Sequence, residues 1–260
     1  MVIVYNFPTK GGNNLSLPEH VCLSIDENIR KENYKSTKLK LYFEFGRSLL
    51  RYIIGFLLDI DPSKVIFCYG PRGKPHFIDI DGREPIHFNL SNTEGLVSIA
   101  VSLDHTVGID AERLSATSFD DLHALTLSEL EQNSFKRIPD ADRGNAFLQL
   151  WTRKEALLKA AGTGLSDDLK KYDVLKNEGH KVQIHSHSGQ KEDRFFDLNT
   201  FILDGSHIVS VAHRPGAILE FVSPSNLPWR CQEQSLQPLE TCRASWRYGG
   251  SPFFNSEALS

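Results

Sequence analysis

The chain has 260 residues, 40% hydrophobic and 24% charged, with a formal net charge of −4. That length can bury a substantial core as one large domain or two smaller ones, and the acidic balance argues against a nucleic-acid binder, whose phosphate-facing surface is net basic. Four scattered cysteines (Cys22, Cys68, Cys231, Cys242) form no CxxC pair and suggest neither a zinc site nor a disulfide scaffold.

The opening "MVIVYNFPTKGG" lacks the basic start and long apolar run of a signal peptide. Residues 1–5 read as a short β-branched strand. Residues 27–58 read as one helix, with Leu41, Phe45, Leu49, Ile53 and Leu57 recurring every fourth position. The most apolar stretch, "LLRYIIGFLLDI", is short and interrupted by Arg51, so no membrane span is expected. A cytoplasmic enzyme or binding protein is the expectation. A strand follows at 64–69, then the Gly/Pro turn of "GPRGKPHF". "IHFNLSNTEGLVSIAVSL" predicts a strand, a polar turn from Ser91 to Gly95, and a second strand. Helical patterns cover 118–136 and 142–161, the second ending at Gly162 and Gly164. Further strands are predicted at 171–176, 181–185, 199–203 and 207–213. From Ser223 the chain loses periodicity and gains Pro, Gly, Ser and Gln, which predicts an extension that is poorly ordered or wrapped on the surface.

"LVSIAVS" at 96–102 echoes "IVSVAHR" at 208–214, and each follows a long helix. Two copies of one α+β unit with a cleft between them would account for the length.

Several short motifs carry possible chemistry. In "VGIDAERL", Asp110 and Glu112 are two apart, so on a strand both carboxylates face the same way. Acids brought together repel unless a cation joins them, and oxygen ligands suit Mg²⁺. In "FLQLWTRKEALLKAAGTGL", Trp151, Glu155 and Lys159 are spaced by four and share one helical stripe. Taken alone, Asp110 and Glu112 fit a solvent-facing strand end. Glu155 and Lys159 fit a helix-stabilising pair worth about 0.2–0.5 kcal/mol. Taken together, Glu155 becomes a third candidate metal ligand and Lys159 a point charge for a phosphate. The "GPRGKPHF" turn presents Arg72 and Lys74 rigidly, and "NLSNTEG" offers Ser91, Asn92 and Thr93 as polar donors. His185 and His187 have metal-like spacing with no further ligand in view, and a solvated loop is the preferred reading. No phosphate-binding P-loop, GxGxxG or GxSxG motif occurs.

The order "RGKPHF", "FNLSNTEG", "VGIDAE", "WTRKEALLKAAGTGL" resembles the surfactin-type (Sfp-like) phosphopantetheinyl transferases over about residues 40–215. That resemblance implies an α+β fold: a pseudo-symmetric monomer of two similar halves, 1–105 and 106–222, with the coenzyme in the cleft between them and 223–260 outside it. It implies transfer of the phosphopantetheine arm of coenzyme A to a serine of an apo carrier protein, with Mg²⁺, and with neither nucleic acid nor membrane as partner. By the same resemblance Asp110, Glu112 and Glu155 match the metal-binding acids, and Lys159 the lysine at the pyrophosphate. Arg47, Arg72, Lys74, Pro75, Ser91, Asn92 and Thr93 match coenzyme-contacting positions. Glu155 is the first choice for the base that takes the serine proton, with Glu129 in reserve. One position departs from the pattern, since Asn92 stands where the family usually has His. Two other activities fit the same residues: a carrier-binding module of this fold that has lost catalysis, or a Mg²⁺-dependent phosphohydrolase using water.

Overall fold

The β-branched start forms β1 (Val2–Pro8), and a capped segment forms α1 (Ile25–Glu32). α2 (Thr37–Leu58) leads to β2 (Phe67–Tyr69), β3 (Pro75–Phe77), β4 (His87–Thr93), β5 (Leu96–Ser102) and β6 (Gly108–Arg113). Three helices follow, α3 (Asp120–Thr126), α4 (Glu129–Phe135) and α5 (Asp140–Ala161), then β7 (Val182–Ile184), β8 (Arg194–Leu203), β9 (His207–His213) and β10 (Leu219–Val222). These elements come from a computed structural model that describes residues 1–9, 23–70, 73–77, 86–115, 119–164, 168–175, 182–184 and 194–222. Mixed α and β content, as expected, is what the chain has. Arg72, His185, His187 and the extension from Ser223 lie outside the described residues.

Two four-stranded sheets organise the chain, in the orders β10-β1-β5-β4 and β6-β9-β8-β7, with β2 and β3 pairing separately. On the first sheet, Tyr42, Phe45, Leu49 and Ile53 of α2 pack against Tyr5, Phe7, Val97, Ile99 and Val101. On the second, Leu150, Leu157 and Ala160 of α5 pack with Phe196, Leu198 and Ala212. The opposite faces of the two sheets meet in a third core of Val2, Val4, Leu96, Ala100, Ile109, Ala111, Val209 and Val211. Both faces of β5 and β9 are therefore covered, which is why "LVSIAVS" and "IVSVA" carry apolar residues on both faces, with only small buried serines between them.

Several expected elements differ, for local reasons. The helix predicted at 27–58 is two helices, because Ser24 and Glu27 form a capping box that starts the first at Ile25 and Ser36 begins the second. The one at 118–136 is likewise split, at Leu127, where Ser128 and Glu131 form another capping box. The strand expected at 64–69 begins with a 3₁₀ turn at Pro62–Lys64, and the one expected at 171–176 is a 3₁₀ turn at Leu169–Lys171 without a strand after it through Leu175. The turn expected from Ser91 shrinks to Glu94 and Gly95, since β4 runs on through Thr93. β10 was not expected, and it pairs parallel with β1. Among the described residues no helix is long and apolar enough to cross a membrane.

Candidate active site at the junction of the two sheets

β4 and β6, the facing edges of the two sheets, lie side by side and are joined by side chains. Alternate residues of β4 point at β6, as the two-residue repeat of a strand requires. Asn89 Oδ1 accepts the Ile109 N–H at 2.8 Å, and Ser91 Oγ accepts the Ala111 N–H at 3.2 Å. Ser91 also donates to Asp110 Oδ1 at 2.9 Å, and Thr93 donates to Glu112 Oε2 at 3.2 Å. Two edge N–H groups of β6 are thereby satisfied, and both carboxylates of the D-x-E pair are held from the neighbouring sheet.

The third acid arrives from α5. Gly108 lets that helix press onto β6, since a Cβ there would stand 2.0 Å from the Ala156 carbonyl oxygen and 2.5 Å from the Ala160 nitrogen. This contact brings Lys159 Nζ to 2.6 Å from Asp110 Oδ1, 3.3 Å from the Ile109 carbonyl and 3.5 Å from Ser91 Oγ. Glu155 is 7% exposed. Its burial, reinforced by the charges of Asp110 and Glu112 against the pull of Lys159, pushes its carboxyl up to about 7. Burial and Asp110 also raise Glu112, with Thr93 and Lys159 opposing. Asp110 Oδ2 and Glu155 Oε1 are buried and, among the described residues, accept no hydrogen bond. Lys159 thus bonds Asp110 while its charge also acts on Glu112 and Glu155, and among the described residues two buried carboxylate oxygens lack a donor.

That donor set fits a divalent cation, because hard carboxylate oxygens left unpaired in a buried site are costly unless a cation compensates them. Among the described residues no three His, Cys, Asp or Glu side chains already surround a common ion position; here Lys159 lies against Asp110. In front of the acids opens a cleft of about 660 Å³ lined by Tyr34, Lys38, Tyr42, Asn92, Glu112 and Lys159, among others. Ser91 and Thr93 line it as well, Ser91 with its hydroxyl already committed to Asp110 and β6.

Not every expected site residue faces this cleft. Arg47 lies elsewhere on α2, over the rings of Phe43, Phe67 and Tyr69 and 4.0 Å from Glu27 Oε1. The α2 cation that lines the cleft is Lys38, bonded to Glu94 at 2.9 Å. Lys74 and Pro75 line a separate hollow of about 380 Å³, where the Lys74 ammonium donates to the Lys159 carbonyl near the end of α5. Glu129 is exposed in the first turn of α4 and lines neither space. The buried acid of that helix is Glu131.

Two further charges of α5, Arg153 and Lys154, serve packing. Lys154, 1% exposed, pairs with Glu131 Oε2 at 2.6 Å and donates to the Leu169 and Tyr172 carbonyls. Arg153 donates to the Val174 carbonyl at 2.7 Å. Trp151, expected on the stripe of Glu155 and Lys159, is partly buried and stacks on Phe147. Lys154→Met should cost about 3–5 kcal/mol in urea unfolding, since it strands a buried carboxylate. The double variant Lys154→Met/Glu131→Gln should recover most of that loss. A double variant as unstable as the single one would show that the pair is not the source.

The family model of the 4'-phosphopantetheinyl transferase superfamily matches residues 106–212. The chain is 36% identical over 147 residues to the 4'-phosphopantetheinyl transferase HetI of Nostoc sp., a stretch covering 55% of this chain and 61% of HetI. With the 4'-phosphopantetheinyl transferase gsp of Aneurinibacillus migulanus it shares 30% identity over 179 residues, 64% of this chain and 70% of the relative. The chain belongs to the 4'-phosphopantetheinyl transferase superfamily. Within this superfamily it is also 28% identical to the transferase Sfp of Bacillus subtilis, over 55% of this chain and 63% of Sfp. It thus spans less than two thirds of HetI and of Sfp. The superfamily match takes in β6, α5 and β9, and so includes Asp110, Glu112, Glu155 and Lys159.

Asn89 is the residue that sequence reading passed over. It stands in the quoted "FNLSNTEG", and its strand spacing from Ser91 and Thr93 was a usable signal once β4 was allowed to extend past Ser91.

Proposed function

We propose that this protein transfers the 4'-phosphopantetheine arm of coenzyme A to a serine hydroxyl of an apo carrier protein. The observation that carries the reading is that Asp110, Glu112 and Lys159 line one cleft, with Lys159 bonded to Asp110 and with Glu155 near enough for the charges of all three to act on it. Asp110, Glu112 and Glu155 would hold Mg²⁺, which when bound supplies positive charge to the oxygens of the pyrophosphate.

In the reaction the serine oxygen forms a bond to the phosphorus that carries pantetheine, and the bond from that phosphorus to the bridging oxygen breaks. Adenosine 3',5'-bisphosphate leaves with the bridging oxygen. Lys159 stabilises the charge that grows on the phosphates, as a compact ammonium on the cleft wall. Glu155 Oε1, which accepts no hydrogen bond among the described residues, takes the serine proton. Ser91 and Thr93 hold Asp110 and Glu112 in place from the neighbouring strand.

The stretches 1–105 and 106–222 would be two related halves, since each holds a 22-residue helix packed on a four-stranded sheet, the first sheet being completed by β10 from the second stretch. The protein would be a cytoplasmic monomer, with coenzyme A and the carrier as its partners. Lys38 takes the place expected of Arg47 as the α2 cation facing the coenzyme's phosphates. The test follows both products. Adenosine bisphosphate should appear only when carrier is present and in equal amount to modified serine. Release without a carrier would make the protein a phosphohydrolase, and coenzyme binding without release would make it an inactive binding module.

Asn92 is exposed on the cleft wall, with its oxygen 3.4 Å from where a Cβ on Gly46 of α2 would stand. A histidine there adds a cationic donor beside a polyphosphate. Asn92→His should leave kcat intact and lower the KM for coenzyme A in steady-state assays. A large loss of activity would assign the amide a role of its own.

A further inference from the structure

α1 has a single buried residue, and it is an acid. Glu27 is 1% exposed, whereas Ile25 and Ile29 of the same helix are 80% and 59% exposed. A helix that shows its isoleucines to water and buries a carboxylate is not docked by apolar burial. What holds it is ionic. Glu27 Oε2 accepts Arg51 Nη2 of α2 at 2.6 Å and the Ser24 N–H at 2.9 Å, while Oε1 lies 4.0 Å from Arg47 Nε. Arg51, itself buried, also donates to the Val65 carbonyl ahead of β2. One carboxylate therefore ties together α1, two arginines one turn apart on α2, and the lead-in to β2.

The consequence lies immediately downstream. The chain leaving α1 supplies Tyr34 and Ser36 to the wall of the cleft, the first turn of α2 supplies Lys38 and Leu39, and the Tyr34 ring packs on Phe43 of the same wall at 5.5 Å. Arg30 of α1 lies over the Tyr69 ring, 3.5 Å from its centroid, next to Gly70 of the second hollow. We infer that Glu27 is a positioning residue for coenzyme A: its ion pair with Arg51 docks α1, and α1 sets the part of the cleft wall made by Tyr34 and Ser36, which leads into Lys38 and Leu39 of α2. This rests on the proposed function for its ligand, but not on transfer itself.

Amide hydrogen exchange over residues 25–43, with coenzyme A titrated in, tests it alongside steady-state kinetics. In the wild type, coenzyme A should slow exchange at 33–43. In Glu27→Gln, which keeps the shape and the Ser24 contact, α1 should exchange faster and the coenzyme should protect 33–43 only at roughly tenfold higher concentration. The KM should rise by the same factor with kcat within about twofold, because the wall binds ground and transition state alike. Ser24→Ala, which removes the other half of the capping box, should act in the same direction and more weakly, and it serves if Glu27→Gln does not fold. Unaltered coenzyme protection in a variant with faster α1 exchange would overturn the inference, as would a wild type whose 33–43 amides ignore coenzyme A. A wild type that binds coenzyme A but transfers nothing would overturn the transferase reading alone.

Discussion

Glu155→Gln should abolish phosphopantetheine transfer while making the metal-free protein more stable above pH 7. The two effects share a cause. Burial and the charges of Asp110 and Glu112 hold the Glu155 carboxyl at about 7, against 4.5 for an ordinary glutamate. The folded state therefore keeps this proton more tightly than the unfolded one. Its contribution to stability is fully present below pH 4.5 and is lost as pH rises from there through 7. Above 7 the fold carries an ionised acid beside other acids, a penalty on the order of 2–3 kcal/mol. Glutamine is neutral throughout and escapes it. Melting curves with a chelator should show variant and wild type alike near pH 4.5 and separated by several degrees at pH 8. Transfer should fall by about 10²–10⁴-fold, the usual worth of a general base. A stability difference that does not change with pH would mean that Glu155 is not the strained acid. Retained transfer would remove it from the chemistry.

Gly108→Ala should be the most damaging glycine-to-alanine substitution among the described residues. Its methyl would meet the backbone of α5 at Ala156 and Ala160, and backbone cannot rotate aside as a side chain can. α5 and β6 would have to part, which costs about 3 kcal/mol or more as overpacking. Parting them also separates Glu155 and Lys159 from Asp110. Misplacement of this kind costs about 10²-fold in rate when the geometry is catalytic. Gly162→Ala is the informative control. Gly162 ends α5 at φ +73, with nothing within 4 Å of a Cβ, so alanine there strains the helix end and leaves the site intact. Urea unfolding and steady-state kinetics on both variants should show Gly108→Ala losing stability and activity together and Gly162→Ala losing only stability, by about 1 kcal/mol. Near-normal activity in Gly108→Ala would mean that the acids need not be held so closely.

Much of the site was legible because it rests on short spacings. Asp110 and Glu112 share a strand face, and Glu155 and Lys159 are one helical turn apart, so each pair's geometry follows from its own element. What joins the pairs is long-range. Asn89, Ser91 and Thr93 reach β6 across about twenty residues, and nothing in a β-strand's own pattern names its neighbour. The same limit applies to Lys154, whose partner Glu131 lies on another helix. Arg47 and Lys38 illustrate a different failure. They are nine residues apart on α2, and at about 100° per residue that puts them on opposite sides of the helix. The resemblance points to Arg47, whereas the helix cation that lines the cleft is Lys38. The helix breaks were readable and missed: "SIDE" at 24–27 and "SELE" at 128–131 are both S-x-x-E capping boxes. The second of them also distinguishes buried Glu131, at the third helical position, from exposed Glu129 at the first.

Intact-protein mass measurement of an apo carrier protein, after incubation with this protein, coenzyme A and Mg²⁺, tests the central claim most directly. The carrier should gain the mass of one phosphopantetheine, and the gain should disappear with Glu155→Gln, with a chelator, or when the carrier's serine is replaced by alanine. No mass gain on acyl, peptidyl or aryl carriers, from a protein that binds coenzyme A, would contradict it.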